Sequence, residues 1–294
     1  MKARDIVLAV LVVAATTGRG NSSPVQWPVA DGGNGHYYER VDMQEGAAIT
    51  WQDAKNAAEA RSYLGASGHL ATITSGSENQ FIVATFLLST PPGQFYGQYW
   101  LGGFQDPYPG GSWQWITGEV WTYSNWWVTE PSGDGCCLEI ASSSIGPPNL
   151  PGTWNDEAST RTLGGYIVEY VVMEVGIDVK PGSYPNAINI NGHGVIPVAI
   201  LGSAEFDVTH VDTGSLSFAG LAMRVKGNSL PQCSVEDVSG PDGVPDGIDD
   251  LVCQFVDDPD SWTPGDGVAT LTGALLPEYG GTHFAGSDQI VIVP

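Results

Sequence analysis

The sequence predicts an α+β fold in its first half and an all-β fold, of sandwich type, in its second. Three observations carry this. Apolar residues recur at three- and four-residue intervals only between positions 50 and 86. From Met173 onward apolar and polar residues alternate, and turn signals separate short strands. The 294 residues include 39 Gly and 20 Pro, which favour turns and short strands over long helices. With 42% hydrophobic and 15% charged residues, the chain can bury real cores, and its length suits two ordinary domains.

Residues 1–20 carry Lys2 and Arg4, an apolar run from Ile6 to Ala15 and then small residues, the pattern of a secretory signal peptide. The run is too short to span a bilayer, with a signal-anchor as the alternative. Residues 21–34 read as a Gly/Pro/Ser-rich linker. A strand from His36 to Val41 follows, then a helix capped by Thr50 and stopped by Gly68, with Ala54, Ala57, Ala58 and Leu64 at helical spacing. His69–Ile73 reads as a strand. Ser75 and Glu78 form a capping box for a second helix with Phe81, Ile82, Thr85 and Phe86 on one side. From Tyr99 to Trp127 the chain is rich in Gly and Trp without helical period, and a strand over 165–172 closes this half. Beyond it, strands are expected around Val175–Val179, Ile188–Ile190, 194–202, Leu216–Phe218, Leu221–Val225, Leu251–Val256, Val268–Leu271 and Gln289–Val293.

Ten Lys and Arg against 33 Asp and Glu give a net charge of -23, which repels a phosphate backbone or an anionic membrane. Nucleic-acid binding is excluded, and no membrane insertion is expected once the leader is removed. Of Cys136, Cys137, Cys233 and Cys253, only Cys233 with Cys253 suggests a bridge, since a ring between sequence neighbours is strained. Trp100, Trp113, Trp115 and Trp121 are expected in the core, and one of Trp126 and Trp127 near a site. The five His are scattered singly and read as structural or exposed.

Residues 35–172 resemble the C-type lectin-like domain family. The resemblance is carried, in order, by Gly-His-Tyr-Tyr-Glu at 35–39, Trp-Gln-Asp-Ala at 51–54, Gly-His-Leu-Ala-Thr-Ile at 68–73, Tyr-Trp-Leu-Gly-Gly at 99–103, Gly-Ser-Trp-Gln-Trp at 111–115, Trp-Trp-Val-Thr-Glu-Pro-Ser at 126–132 and Trp-Asn-Asp at 154–156. It implies two helices, small antiparallel sheets and a long loop region. Calcium takes about six to eight hard oxygen ligands. Glu130, Ser132, Asp134, Asn155 and Asp156 could supply most of them. The resemblance implies a cis Pro131 that turns Glu130 and Ser132 to one side, with Glu130, Ser132, Asn155 and Asp156 also meeting sugar hydroxyls. Three features depart from the family pattern. Ser132 replaces the usual Asn or Asp, the loop from Glu130 to Cys137 is short, and either Asp134 or Gly135 stands at the fourth carboxylate's position. Ala58, Ser159 and Val168 stand where framework cysteines are expected, and only Cys137 matches.

Residues 173–294 are similar to a β module appended to secreted bacterial proteins, through 176–182, 194–202 and 206–209. Their chemical feature is the acidic stretch 237–250, similar to calcium loops of the dockerin and thrombospondin type. Asp237, Ser239, Asp242, the Val244 carbonyl, Asp246 and Asp249 fall at ligand positions, with Gly243 at the sharp turn; a solvated acidic turn is the alternative. No catalytic constellation is present, so no enzyme is expected. The expectation is therefore a secreted, extracellular protein that binds glycans through Ca2+. The alternative is a structural or adhesive protein whose lectin-like fold contacts cell-surface or matrix proteins.

Overall fold

The computed structural model describes residues 22–44, 46–88, 97–143, 150–227, 230–238 and 245–293. The expected leader and, in the acidic stretch, Ser239, Asp242 and Val244 lie outside the described residues.

The first half contains β1 (Val25–Gln26), β2 (Tyr37–Asp42), α1 (Trp51–Glu59), β3 (Ser62–Tyr63), β4 (Ala66–Leu70), α2 (Gly76–Ile82), β5 (Gln98–Asp106), β6 (Ser112–Trp115), β7 (Cys137–Ala141), β8 (Trp154–Glu157) and β9 (Gly165–Tyr170). The Thr50 hydroxyl caps α1 by accepting from the Asp53 N–H at 3.2 Å. Trp51, Ala54 and Ala58 form its buried stripe. The helix stops at Glu59, well before Gly68. The chain there needs a reversal, and Leu64 (φ 49°) and Gly65 (φ 87°) make the left-handed turn of the β3–β4 hairpin. The Ser75 hydroxyl caps α2 by accepting from the Glu78 N–H at 3.1 Å. Glu78 does not return to close the box. Its carboxylate accepts from the Thr74 N–H at 2.8 Å and the Tyr38 hydroxyl at 2.5 Å.

The strands pair in the order β1-β2-β9-β5-β7-β8, with β4 also on β9 and β6 on β5. Strand alternation sends side chains to two cores. Leu101, Leu138, Ile140, Trp154 and Ile167 join α2 residues on one face, while Trp100, Cys137, Tyr166 and Val168 meet α1 on the other. Trp100 and Trp115 are fully buried, and Trp113, Trp121 and Trp126 pack at the rim of the first core. The lead-in expected as a linker is part of this packing. β1 pairs with β2, and buried Trp27 stacks on Phe81 at 5.7 Å. A lone aromatic in a periodless segment gives no sign of this in sequence.

The second half contains β10 (Met173–Glu174), β11 (Ile177–Val179), β12 (Ala187–Asn189), β13 (Val195–Ile200), β14 (Ser217–Phe218), β15 (Cys233–Glu236), β16 (Asp250–Val256), β17 (Gly265–Ala274) and β18 (His283–Val293). One sheet runs β11-β13-β16-β15 and the other β10-β18-β17-β14, with β12 on β18. Val198, Phe255 and Cys253 of the first share one apolar core with Phe218, Leu271 and Phe284 of the second. Leu221–Val225 is not a continuous strand but makes single bridges to Phe218, Phe255 and Pro231. Cys233 and Cys253 lie directly opposite each other on β15 and β16 and are disulfide-bonded.

Candidate functional site

The segment after Trp126 is laid onto β8 by backbone bonds. The Trp154 N–H donates to the Asn125 carbonyl and the Trp127 N–H to the Trp154 carbonyl, both at 2.9 Å. The Glu130–Pro131 peptide is cis. Beyond it the loop closes around one carboxylate. Asp156, 1% exposed, accepts from the Ser132 N–H at 2.8 Å through Oδ1, and from Gly133 at 2.9 Å and Gly135 at 3.3 Å through Oδ2. The Ser132 N–H also donates to Glu130 Oε2 at 2.7 Å, and its hydroxyl to Asp134 Oδ1 at 2.9 Å. Ser132 and Asp134 are exposed, and Glu130 is half-buried.

Glu130, Ser132, Asp134 and Asp156 thus share one hydrogen-bonded group. Asn155 sits one residue along β8 and its amide is drawn elsewhere, donating to Glu139 Oε1 at 3.3 Å across the β7–β8 pair. Gln98 donates to the same oxygen, and Glu139 Oε2 is a buried oxygen with no hydrogen-bond partner among the described residues. Burial, then the nearby Glu157 charge, pushes the Glu139 carboxyl up to about 8. Sequence reasoning missed Glu139; its signal is a carboxylate inside the apolar run Cys137–Ala141.

By donor chemistry the set fits a hard cation, since carboxylates, a hydroxyl and an amide all offer oxygen. As folded, both Asp156 oxygens are taken by N–H groups, and no three acidic, imidazole or thiol side chains among the described residues gather as a metal site. In the acidic stretch, Asp237 accepts from the Asp246 N–H at 3.2 Å and the Gly247 N–H at 3.1 Å. These residues and Asp249 are exposed, while buried Asp250 accepts from Gly202 and Val238.

A second polar cluster lies between β1–β2, α2 and β9. The buried Glu169 carboxylate meets His36 Nδ1 at 2.6 Å, the Tyr38 hydroxyl at 3.2 Å and the Thr72 N–H at 2.9 Å. Burial alone would raise Glu169, but the His36 hydrogen bond, the His69 and His36 charges and the Thr72 N–H hold it below its usual value. Burial pulls His36 down, and the Glu169 carboxylate more than offsets this and raises it.

The architecture and the order of its motifs define a C-type lectin-like fold. Residues 47–164 match the family model described as the lectin C-type domain. Over 209 residues the chain is 28% identical to halomucin of Haloquadratum walsbyi, covering 62% of this chain and 2% of that protein. It is 35% identical to lithostathine of Bos taurus over 103 residues, 32% of this chain and 54% of the relative. The chain thus spans a small fraction of halomucin and about half of lithostathine. Among solved structures, the cow CD23 carbohydrate-recognition domain, crystallised in the presence of GlcNAc2Man3 oligosaccharide, aligns with a TM-score of 0.34 and 23% identity, over 46% of this chain and 86% of that one.

Proposed function

We propose that this is a secreted, calcium-dependent carbohydrate-binding protein whose lectin domain, within residues 35–172, recognises extracellular glycans. The reading is carried by one observation. Within the stretch that matches the lectin C-type model, Glu130, Ser132 and Asp134 stand in one hydrogen-bonded group with Asp156. Glu130, Ser132, Asp134, Asn155 and Asp156 would hold calcium, and the bound ion would offer open coordination positions to paired sugar hydroxyls. Glu130, Ser132, Asn155 and Asp156 would share those hydroxyls by hydrogen bonds. Residues 173–294 serve as a β-sandwich spacer, with calcium held by Asp237, Ser239, Asp242, the Val244 carbonyl, Asp246 and Asp249. The test is a glycan array run in calcium, in chelator, and after calcium is restored. Binding that disappears in chelator and returns with calcium supports the reading. No glycan signal in any condition overturns it, and a signal indifferent to chelator overturns the calcium part.

A second reading is an adhesive protein that contacts cell-surface or matrix proteins. It is favoured by the hydrogen bonding of Asp156, whose oxygens already serve three loop N–H groups. Binding to a protein array with no signal on glycans would select it.

A further inference from the structure

Cys136 and Cys137 end the candidate loop and begin β7. Cys137 is buried and Cys136 is partly accessible. Position 159, where the family resemblance expects a framework cysteine, holds Ser159, so Cys137 has no sulfur to meet there. The sulfur it does meet is its neighbour's, with the two Sγ atoms 2.7 Å apart. A disulfide bond is about 2.05 Å long, so little movement separates this contact from a bond.

We propose that Cys136 and Cys137 form a disulfide with each other, a reversible thiol–disulfide modification site that stiffens the backbone at the base of the Glu130–Asp134 loop. The oxidant is an external disulfide of low molecular weight. The Cys136 thiolate attacks one of its sulfurs, forming a mixed disulfide and releasing the first external thiol. Cys137 Sγ, losing its proton to the leaving sulfur, then attacks Cys136 Sγ and releases the second. Two thiols are oxidised and one external disulfide is reduced to two thiols. Burial and the adjacent Cys136 hold the Cys137 thiol well above its usual range, which makes the accessible Cys136 the entry point.

Neighbouring Cα atoms are about 3.8 Å apart, below the usual spacing of about 4.4–6.8 Å across a disulfide. The ring is therefore strained and easily reduced, the property of regulatory rather than framework bridges. It sits where it can act on the loop. Gly135, one residue before it, donates to Asp156 at 3.3 Å, and the Cys136 carbonyl accepts from the Gln105 N–H at 2.8 Å.

The full chain is incubated with oxidised glutathione, denatured, alkylated with iodoacetamide and peptide-mapped. The expected result is a peptide in which both cysteines escape alkylation and two hydrogens are missing. Mild reductant should restore alkylation at both while Cys233–Cys253 stays closed, and phenylarsine oxide should then bridge the freed pair. Alkylation of both after oxidation, a persistent glutathione adduct on Cys136, or a bridge to another chain overturns the proposal. Hydrogen exchange at Ser132, Gly133 and Gly135 should slow in the oxidised form, and equal rates in the two forms overturn the stiffening of the loop.

Discussion

Removing the Asp156 carboxylate strands the buried Gly135 N–H, while the Ser132 N–H keeps Glu130 Oε2 and the exposed Gly133 N–H can turn to water. A stranded donor costs about 1–3 kcal/mol, so Asp156→Ala should lower the calorimetric melting temperature even in chelator. A melting point unchanged in chelator would show that the carboxylate does not clamp the loop. Ser132→Asn tests the other role, since its longer arm should tighten calcium in titration calorimetry. An unchanged or weaker affinity means Ser132 is not a ligand. The His36–Glu169 pair gives a pH signature. His36 is raised, so its contribution is complete below its unfolded value of about 6.5 and is lost as pH climbs through the folded value. Glu169 is lowered, so its contribution is complete above about 4.3 and is lost as pH falls through its folded value. Melting temperature should decline on the alkaline side of about pH 6.5, and His36→Asn should flatten that limb. A variant with the parent's slope would place the titration elsewhere. The grouping of Glu130, Ser132 and Asp134 with Asp156 was legible only through the family resemblance, since more than twenty residues separate the two segments. The Asn155–Glu139 contact was not legible, because it depends on which strand lies beside β8.

Elements were legible where a local signal marks them and obscure where a distant partner decides. Thr50 and Ser75 announce the starts of α1 and α2. The end of α1 is hidden, because the two-residue strand β3 exists only through its pairing with β4. β15 escaped notice for a similar reason. Ser234, Val235 and Glu236 are exposed on an edge strand, so no buried alternation marks it. Between the candidate loop and β7, Gly135 lies against the backbone of β8. A Cβ there would meet Glu157 backbone atoms at 2.1–2.3 Å, and backbone within a paired strand cannot step aside. Gly135→Ala should therefore destabilise by about 1–3 kcal/mol and push the loop off Asp156, seen as faster hydrogen exchange at Gly133. A parent-like melting curve would mean that the loop can shift without cost.

Across the whole molecule, the halves meet through a few contacts of different kinds. The chain leaves β9 and at once joins the second half's sheet, where β10 runs parallel to β18. Ala285 of β18 packs into the α1-side core, and Gln26 donates to Glu174 at 3.4 Å. A net charge of -23 over this assembly resists compaction wherever carboxylates are crowded. One acidic stretch is 237–250, where the Asp237 carboxylate already collects the N–H groups of Asp246 and Gly247. A cation bound there only in the folded state would neutralise that repulsion and be linked to stability. At one hundred times its dissociation constant, calcium adds about 2.7 kcal/mol, which at about 2–4 °C per kcal/mol is roughly 5–11 °C in melting temperature. Because the lectin loop could give the same signal, the full chain is melted with and without calcium alongside the double variant Asp242→Asn with Asp246→Asn. The variant should lose the part of the shift that belongs to the acidic stretch and should melt higher than the parent in chelator, since two repelling charges are gone. If its calcium shift equals the parent's, the stretch is a solvated turn, and any calcium the protein holds is bound elsewhere.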